Sequence, residues 1–203
     1  MGSLSSRLSI LTLCGVFLFS AGAGLAEPGA EASAELALER ARTVYVEQGP
    51  GPALPLFDEA LALFRRAGDR RGEAITLGLL GNCHKRLGDL DRALELLGAA
   101  LALKRELGDR LEEGKTLSHL GLVYWERAEY DAAIRHLEQA IALGAELGDA
   151  MLEGSARNNL GLVHDELGDY ERSVAEYRRA LELYRHTDFP RGVGDTLGNL
   201  GGV

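Results

Sequence analysis

Cysteine is nearly absent from this chain: two residues in 203, Cys14 and Cys83. Cys14 lies in an N-terminal apolar run expected to be removed, which leaves Cys83 alone. A lone cysteine closes no intramolecular disulfide, so packing must hold the fold together. Cys83 therefore reads as a small buried apolar residue. Basic residues are the minority charge, 22 Lys and Arg against 31 Asp and Glu, for a net charge of −9. Such an acidic surface argues against binding nucleic acid or anionic membranes. No apolar run reaches the roughly 20 residues that a membrane-spanning helix requires. A glycine-rich phosphate loop, a Gly-x-Ser-x-Gly elbow and a His-Glu-x-x-His sequence are all missing. No catalytic residue, cofactor or metal site is expected.

The longest apolar stretch is N-terminal. Met1 to Ser6 is polar, Arg7 adds a positive charge, and Leu8 to Phe19 is apolar apart from Ser9, Thr12 and Gly15. Small residues follow up to Gly24-Leu25-Ala26, ahead of Glu27-Pro28. That order is the layout of a secretory signal peptide over 1–26, cleaved after Ala26, with a secreted or periplasmic destination. An uncleaved N-terminal anchor is the alternative. Met1-Gly2 with Ser6 also fits a myristoylation pattern, but the export segment directly behind it makes that match accidental. Lipidation at Cys14 is disfavoured, because Leu13 stands where a small residue belongs and the apolar run continues past it. Removing residues 1–26 removes Arg7 alone among charged residues and takes the net charge from −9 to −10.

A rhythm fills the rest of the chain. A glycine-aspartate step recurs at Gly68-Asp69, Gly88-Asp89, Gly108-Asp109, Gly148-Asp149 and Gly168-Asp169. The beat between them falls on Ala128-Glu129, and Thr187-Asp188 is a degenerate echo. Glycine accepts the left-handed backbone that closes one helix, and aspartate caps the amide donors that open the next. Helices of about 16–18 residues, each roughly 25 Å long, are therefore expected to stack antiparallel.

The true period is 40 residues, two helices at a time. Aligned on it, Thr76 to Leu87, Thr116 to Arg127 and Ala156 to Leu167 superpose as first helices, and a further copy starts at Thr196. Asp91-Arg92-Ala93-Leu94 matches Asp131-Ala132-Ala133-Ile134 in the second helices. Gly81, Gly121, Gly161 and Gly201 recur at one place, with Ala93, Ala133 and Ser173 expected opposite them. A mid-helix glycine costs about 1 kcal/mol relative to alanine, so its repetition implies close helix packing. An earlier, diverged unit has a helix over Ala34 to Gln48, a break at Gly49 to Pro52, and Pro55 in the first turn of the next helix.

The pattern Leu117-x-x-Leu120-Gly121-x-x-Tyr124, then Ala133-x-x-x-Leu137-x-x-Ala140, resembles the tetratricopeptide repeat. Leu77, Leu80, Gly81, His84, Ala93, Leu97 and Ala100 carry it in the unit before, and Leu160, Gly161, His164, Ser173, Tyr177 and Ala180 in the unit after. The resemblance implies an all-α fold, a right-handed superhelical solenoid of antiparallel helix pairs. It covers 34–203, in units of about 34–67, 70–107, 110–147 and 150–187 plus an incomplete 190–203, behind a linker at 27–33. The 40-residue spacing with Gly-Asp turns is similar to kinesin light chains, to G-protein-regulator repeats, and to bacterial arrays that precede a CHAT-type peptidase domain.

In that family the first helices line a concave face whose polar positions contact a peptide. Carried onto this sequence, those positions are Asn82, Lys85 and Arg86; Lys115, Ser118, His119 and Trp125; Asn158, Asn159 and Asp165; and Asn199. The asparagines either hold an extended peptide backbone, having both donors and an acceptor, or are solvated polar residues. Trp125 is either a groove anchor or a packing residue. Gly78 and Ser118 stand where the first lysine of the family's carboxylate clamp would be, so that function is not supported. Lys85, Arg86 and Lys115 give the groove positive character, which suits an extended acidic or polar peptide. His84 and His164 occupy one repeat position two units apart, roughly 20 Å by helix-packing distances, too far to share a metal; packing between helices is their expected role.

The expected function is thus an exported scaffold that binds another protein or peptide segment and has no activity of its own. The alternative is the sensor region of a longer enzyme such as a CHAT-type peptidase, suggested by the unit that starts at 190 and stops at Val203. Self-association through that open unit is a further expectation.

Overall fold

The computed structural model describes residues 30–185 and 187–203. The expected signal peptide lies outside them, as do residues 27–29 of the linker. Helices follow one another with turns of one to a few residues: α1 (Ala30–Gln48), α2 (Pro50–Ala67), α3 (Arg70–Arg86), α4 (Leu90–Glu106), α5 (Arg110–Glu126), α6 (Tyr130–Leu147), α7 (Ala150–Glu166), α8 (Tyr170–Tyr184) and α9 (Pro190–Gly202). Among the described residues there is no strand, and no helix is long and apolar enough to cross a membrane.

Each Gly-Asp step ends one helix and begins another. Gly68, Gly88, Gly108, Gly148 and Gly168 all have φ between +67° and +83°, a left-handed conformation that only glycine adopts without strain. The following aspartate works twice. Its backbone N–H donates back into the finished helix, as from Asp89 to the carbonyl of His84 at 3.0 Å. Its carboxylate accepts an N–H of the next helix, as Asp149 does from Leu152 at 2.8 Å.

The altered beat at Ala128-Glu129 keeps the turn and loses both advantages. Ala128 is held at φ +59°, and Glu129 caps α6 without any side-chain bond to its amides. Left-handed backbone costs a residue with a Cβ about 1–2 kcal/mol. Restoring the rhythm with Ala128→Gly and Glu129→Asp together should therefore raise stability by about 2 kcal/mol. A urea midpoint no higher than the parent's would contradict this.

The diverged first unit differs from expectation at three points. The linker is shorter than 27–33, because α1 already starts at Ala30. The break is confined to Gly49 (φ +89°), since Pro50 and Pro52 fall where helix amides have no acceptor and so extend the helix start. As a result Pro55 lies inside α2 rather than in its first turn. There it cannot donate the helical bond to the carbonyl of Gly51, and its ring crowds that turn, the ordinary cost of an interior proline.

Within each unit the repeated glycine meets a large residue, not the alanine expected opposite it. A Cβ on Gly81 would lie 2.6 Å from Leu97, on Gly121 2.6 Å from Leu137, and on Gly161 2.5 Å from Tyr177. Ala93, Ala133 and Ser173 are fully buried one turn earlier, where their small size lets the helix approach. Gly201 has nothing within 4 Å of that position. Cys83 is buried as expected, and burial pushes its thiol up to about 11.

Curvature follows from which helices touch. Each odd-numbered helix approaches the next odd-numbered one as well as its own partner, whereas the even-numbered helices do not approach one another. The odd helices thus form the inner row of the bend and the even helices its outer row. The inner row carries every residue assigned to ligand contact from the sequence.

Candidate peptide-binding groove

Side chains on the inner row are tied across units. Asn159 Nδ2 donates to Ser118 Oγ at 3.0 Å, and Asn199 Nδ2 donates to Asn158 Oδ1 at 3.1 Å. These are the same rung in successive units, joining residues 41 apart. A second row has the same spacing: Arg86 donates to Tyr45 Oη at 3.0 Å and lies over its ring, and Lys85 reaches Glu126 at 3.2 Å. The asparagines are therefore neither free nor simply solvated. Each spends one amide N–H, or its oxygen, on the neighbouring unit and keeps its remaining polar capacity.

One rung is displaced. The position equivalent to Ser118 and Asn158 in α3 is Gly78, which has no side chain to accept a bond. His119, the counterpart of Asn159, instead meets Asn82 Nδ2 at 3.2 Å, one turn further along. Burial and the nearby Lys85 and Lys104 ammoniums push the His119 imidazole down to about 4. It is therefore neutral at pH 7.

Other predicted positions divide by exposure. Lys115 is half-exposed and holds Glu112 at 2.7 Å. Ser118 is 6% exposed, so its hydroxyl serves the rung to Asn159. Trp125 packs, partly buried, against the cluster of Ala133, Leu137, Leu160 and Val163. Asp165 is half-buried on α7. His164 is buried as expected; His84 is partly buried, and its Nδ1 lies 3.1 Å from the Asp89 carboxylate in the following turn.

Three recesses open along the inner row and abut one another. One of about 320 Å³ is lined by Tyr45, Val46, Phe57, Leu79 and Cys83 with Arg42 and Asn82. A middle one of about 170 Å³ shares Arg42, Leu79 and Asn82 with it and adds Gly78, Lys104, Glu112, Lys115 and His119. A third of about 280 Å³ shares Lys115 and His119 and adds Met151, Leu152 and Ser155. Two fall below the range of drug-sized pockets and the first only just enters it, sizes suited to single side chains of an extended chain. Arg42, Lys104 and Met151 were not identified from the sequence. For Lys104 a signal existed, because its repeat counterparts are Phe64, Gly144 and Tyr184.

Two stretches, residues 43–106 and 112–186, match the family model of the tetratricopeptide repeat. The chain is a tetratricopeptide repeat protein. No curated protein sequence matches it. Among solved structures, its array is similar to BtubC (BKLC) from P. vanneervenii, at 21% identity and TM-score 0.62, covering 85% of this chain and 81% of that one. Aspartyl phosphate phosphatase F from Bacillus subtilis aligns at 14% identity and TM-score 0.77, over 84% of this chain but 45% of the phosphatase. A Podosopora anserina kinesin light chain with nearly identical TPR-like repeats aligns at 14% identity and TM-score 0.68, over 85% of both chains. At these identities the shared property is the fold. Tetratricopeptide repeat arrays are typical protein–protein interaction scaffolds, and that is the class to which this chain belongs.

Proposed function

We propose that this tetratricopeptide repeat protein is an exported scaffold that holds an extended polypeptide along its inner row and carries out no catalysis itself. The continuity of the groove supports the reading: three side-chain-sized recesses abut along the odd helices, Asn82 is shared by the first two, and the Asn159–Ser118 rung reaches the third through Ser118. Their leftover amide groups supply donors and acceptors for a peptide backbone of any sequence. The export part rests on the order of residues 1–26, polar, then Arg7, then apolar, then small.

Crosslinking with mass spectrometry on the exported protein tests both parts. Crosslinks from a partner should map to Lys85 and Lys115, and the N-terminal peptide should begin at Glu27. Asn159→Ala, Asn199→Ala and Lys115→Ala combined should weaken capture by about tenfold or more, losing two amide contacts and one charge. An unchanged partner set in that triple variant, with helicity intact, would count heavily against the groove assignment.

A further inference from the structure

We infer that Lys104 anchors a side-chain carboxylate of the bound peptide at the floor of the groove, so that the array selects an acidic residue flanked by apolar ones. The inference rests on the groove-binding reading and adds its chemical selectivity.

Lys104 belongs to α4, in the outer row, yet its ammonium emerges on the inner face. Two substitutions within the repeat make this happen. Its counterparts Phe64 and Tyr184 pack their rings against glycines at two different repeat positions, Gly72 and Gly154, and the third counterpart is Gly144. Lys104 replaces these with a cation, and Glu112 stands at the repeat position of Gly72. Above it, Gly78 leaves a window: a Cβ there would sit 3.5 Å from Lys104 Nζ. Any longer side chain in the style of Ser118 or Asn158 would close the opening.

The ammonium is incompletely partnered for its burial. It is 5% exposed as a residue and donates to Thr116 Oγ1 at 2.7 Å. Its second contact, to Glu112 Oε2, is long at 3.4 Å, because Lys115 draws that carboxylate to 2.7 Å. An ammonium has three N–H donors, so one remains for the recess that Gly78 opens. Burial lowers the Lys104 pKa, as befits an ammonium short of hydration. The charged residues that line the recess are Arg42, Lys104 and Lys115 against the single carboxylate of Glu112, with Glu39 paired to Arg42 and Asp109 also acting on Lys104, within a chain whose net charge is −9. A buried cation left short of partners is costly, and an incoming carboxylate supplies what is missing as a charge-assisted bond.

The flanks set the rest of the pattern. On one side the middle recess continues into the apolar pocket of Tyr45, Val46 and Leu79, and on the other into that of Met151 and Leu152. A carboxylate seated on Lys104 thus places its neighbours on the peptide against apolar walls.

The test is affinity selection of a randomised decapeptide library, acetylated and amidated, on the exported chain, with recovered peptides resynthesised and titrated by fluorescence anisotropy. Recovered sequences should be enriched in Asp or Glu between apolar residues. Glu→Gln or Asp→Asn in such a peptide should weaken binding by about tenfold or more, the scale of a hydrogen bond to a charged group. Lys104→Met should abolish that discrimination while apolar binding persists. Gly78→Ser, which fits the window at van der Waals distance and suits a helix better than glycine, should abolish it too in a fully folded protein. Peptides that bind without acid enrichment, or a Lys104→Met variant that still prefers Glu over Gln, overturn this inference alone. Binding seen only with free C termini overturns the side-chain assignment. Recovery of no peptide overturns this inference and the groove reading together.

Discussion

Tyr177→Ala should destabilise the array by about 3–5 kcal/mol, the range for removing a buried aromatic ring. Tyr177 is fully buried, and its ring fills the space that Gly161 leaves, 2.5 Å from where a Cβ would stand. Glycine opposite a truncated side chain has nothing to swing into the void, so the cavity stays open and the loss falls at the high end. Tyr177→Leu, which copies Leu97 and Leu137 at the same repeat position, should cost far less. Because each repeat contacts only its neighbours, amide exchange in Tyr177→Ala should accelerate in α7, α8 and α9 and stay unchanged in α1 to α3. A urea-derived loss below about 1 kcal/mol would contradict the packing described for this pair.

Gly144→Ala and Gly98→Ala should move stability in opposite directions although both put alanine inside a helix. A Cβ on Gly144 would lie 2.6 Å from the backbone nitrogen of Glu153 and 2.8 Å from its Cα. Backbone cannot rotate aside, so α6 and α7 must separate. Overpacking of this kind costs about 1–3 kcal/mol, and the rigid neighbour puts Gly144→Ala at the upper end, beyond the roughly 1 kcal/mol that alanine returns in helix propensity. At about 2–4 °C per kcal/mol for a chain of this size, its melting temperature should fall by several degrees. Gly98 faces open space, with nothing within 4 Å of an added Cβ. Its alanine variant should gain about 1 kcal/mol and melt higher. Calorimetry that moved both midpoints the same way would sink the close-contact account of Gly144.

Much of this architecture is legible in the amino-acid sequence. The Gly-Asp steps announce their own geometry, because one residue type tolerates positive φ and the other caps amides, both local properties of the backbone. The 40-residue alignment likewise placed Gly81, Gly121 and Gly161 in helix–helix contacts. It named the wrong partners, since Leu97, Leu137 and Tyr177 reach the glycines from a turn beyond Ala93, Ala133 and Ser173, and side-chain reach is a three-dimensional property. The groove was legible as a list and not as a network. Asn159 and Asn199 stood out by repetition, but their acceptors lie 41 residues away, a separation that a 40-residue alignment does not align. Lys104 escapes a sequence reading for a different reason: it belongs to a second helix, and only the fold shows its ammonium reaching Thr116 on a first helix.

The paired asparagines at 158 and 159 act as a two-ended coupling. Asn159 donates backward to Ser118 while Asn158 accepts from Asn199 ahead, so one unit presents a plug on one side and a socket on the other. Plug and socket occupy adjacent positions and fit copies of themselves. A unit duplicated whole would engage its twin by the same bond that Asn199 already makes to Asn158. The array is in this sense an extensible alphabet, in which length can grow or shrink by 40-residue letters while each inserted letter rewrites only the few side chains that its own stretch of groove displays.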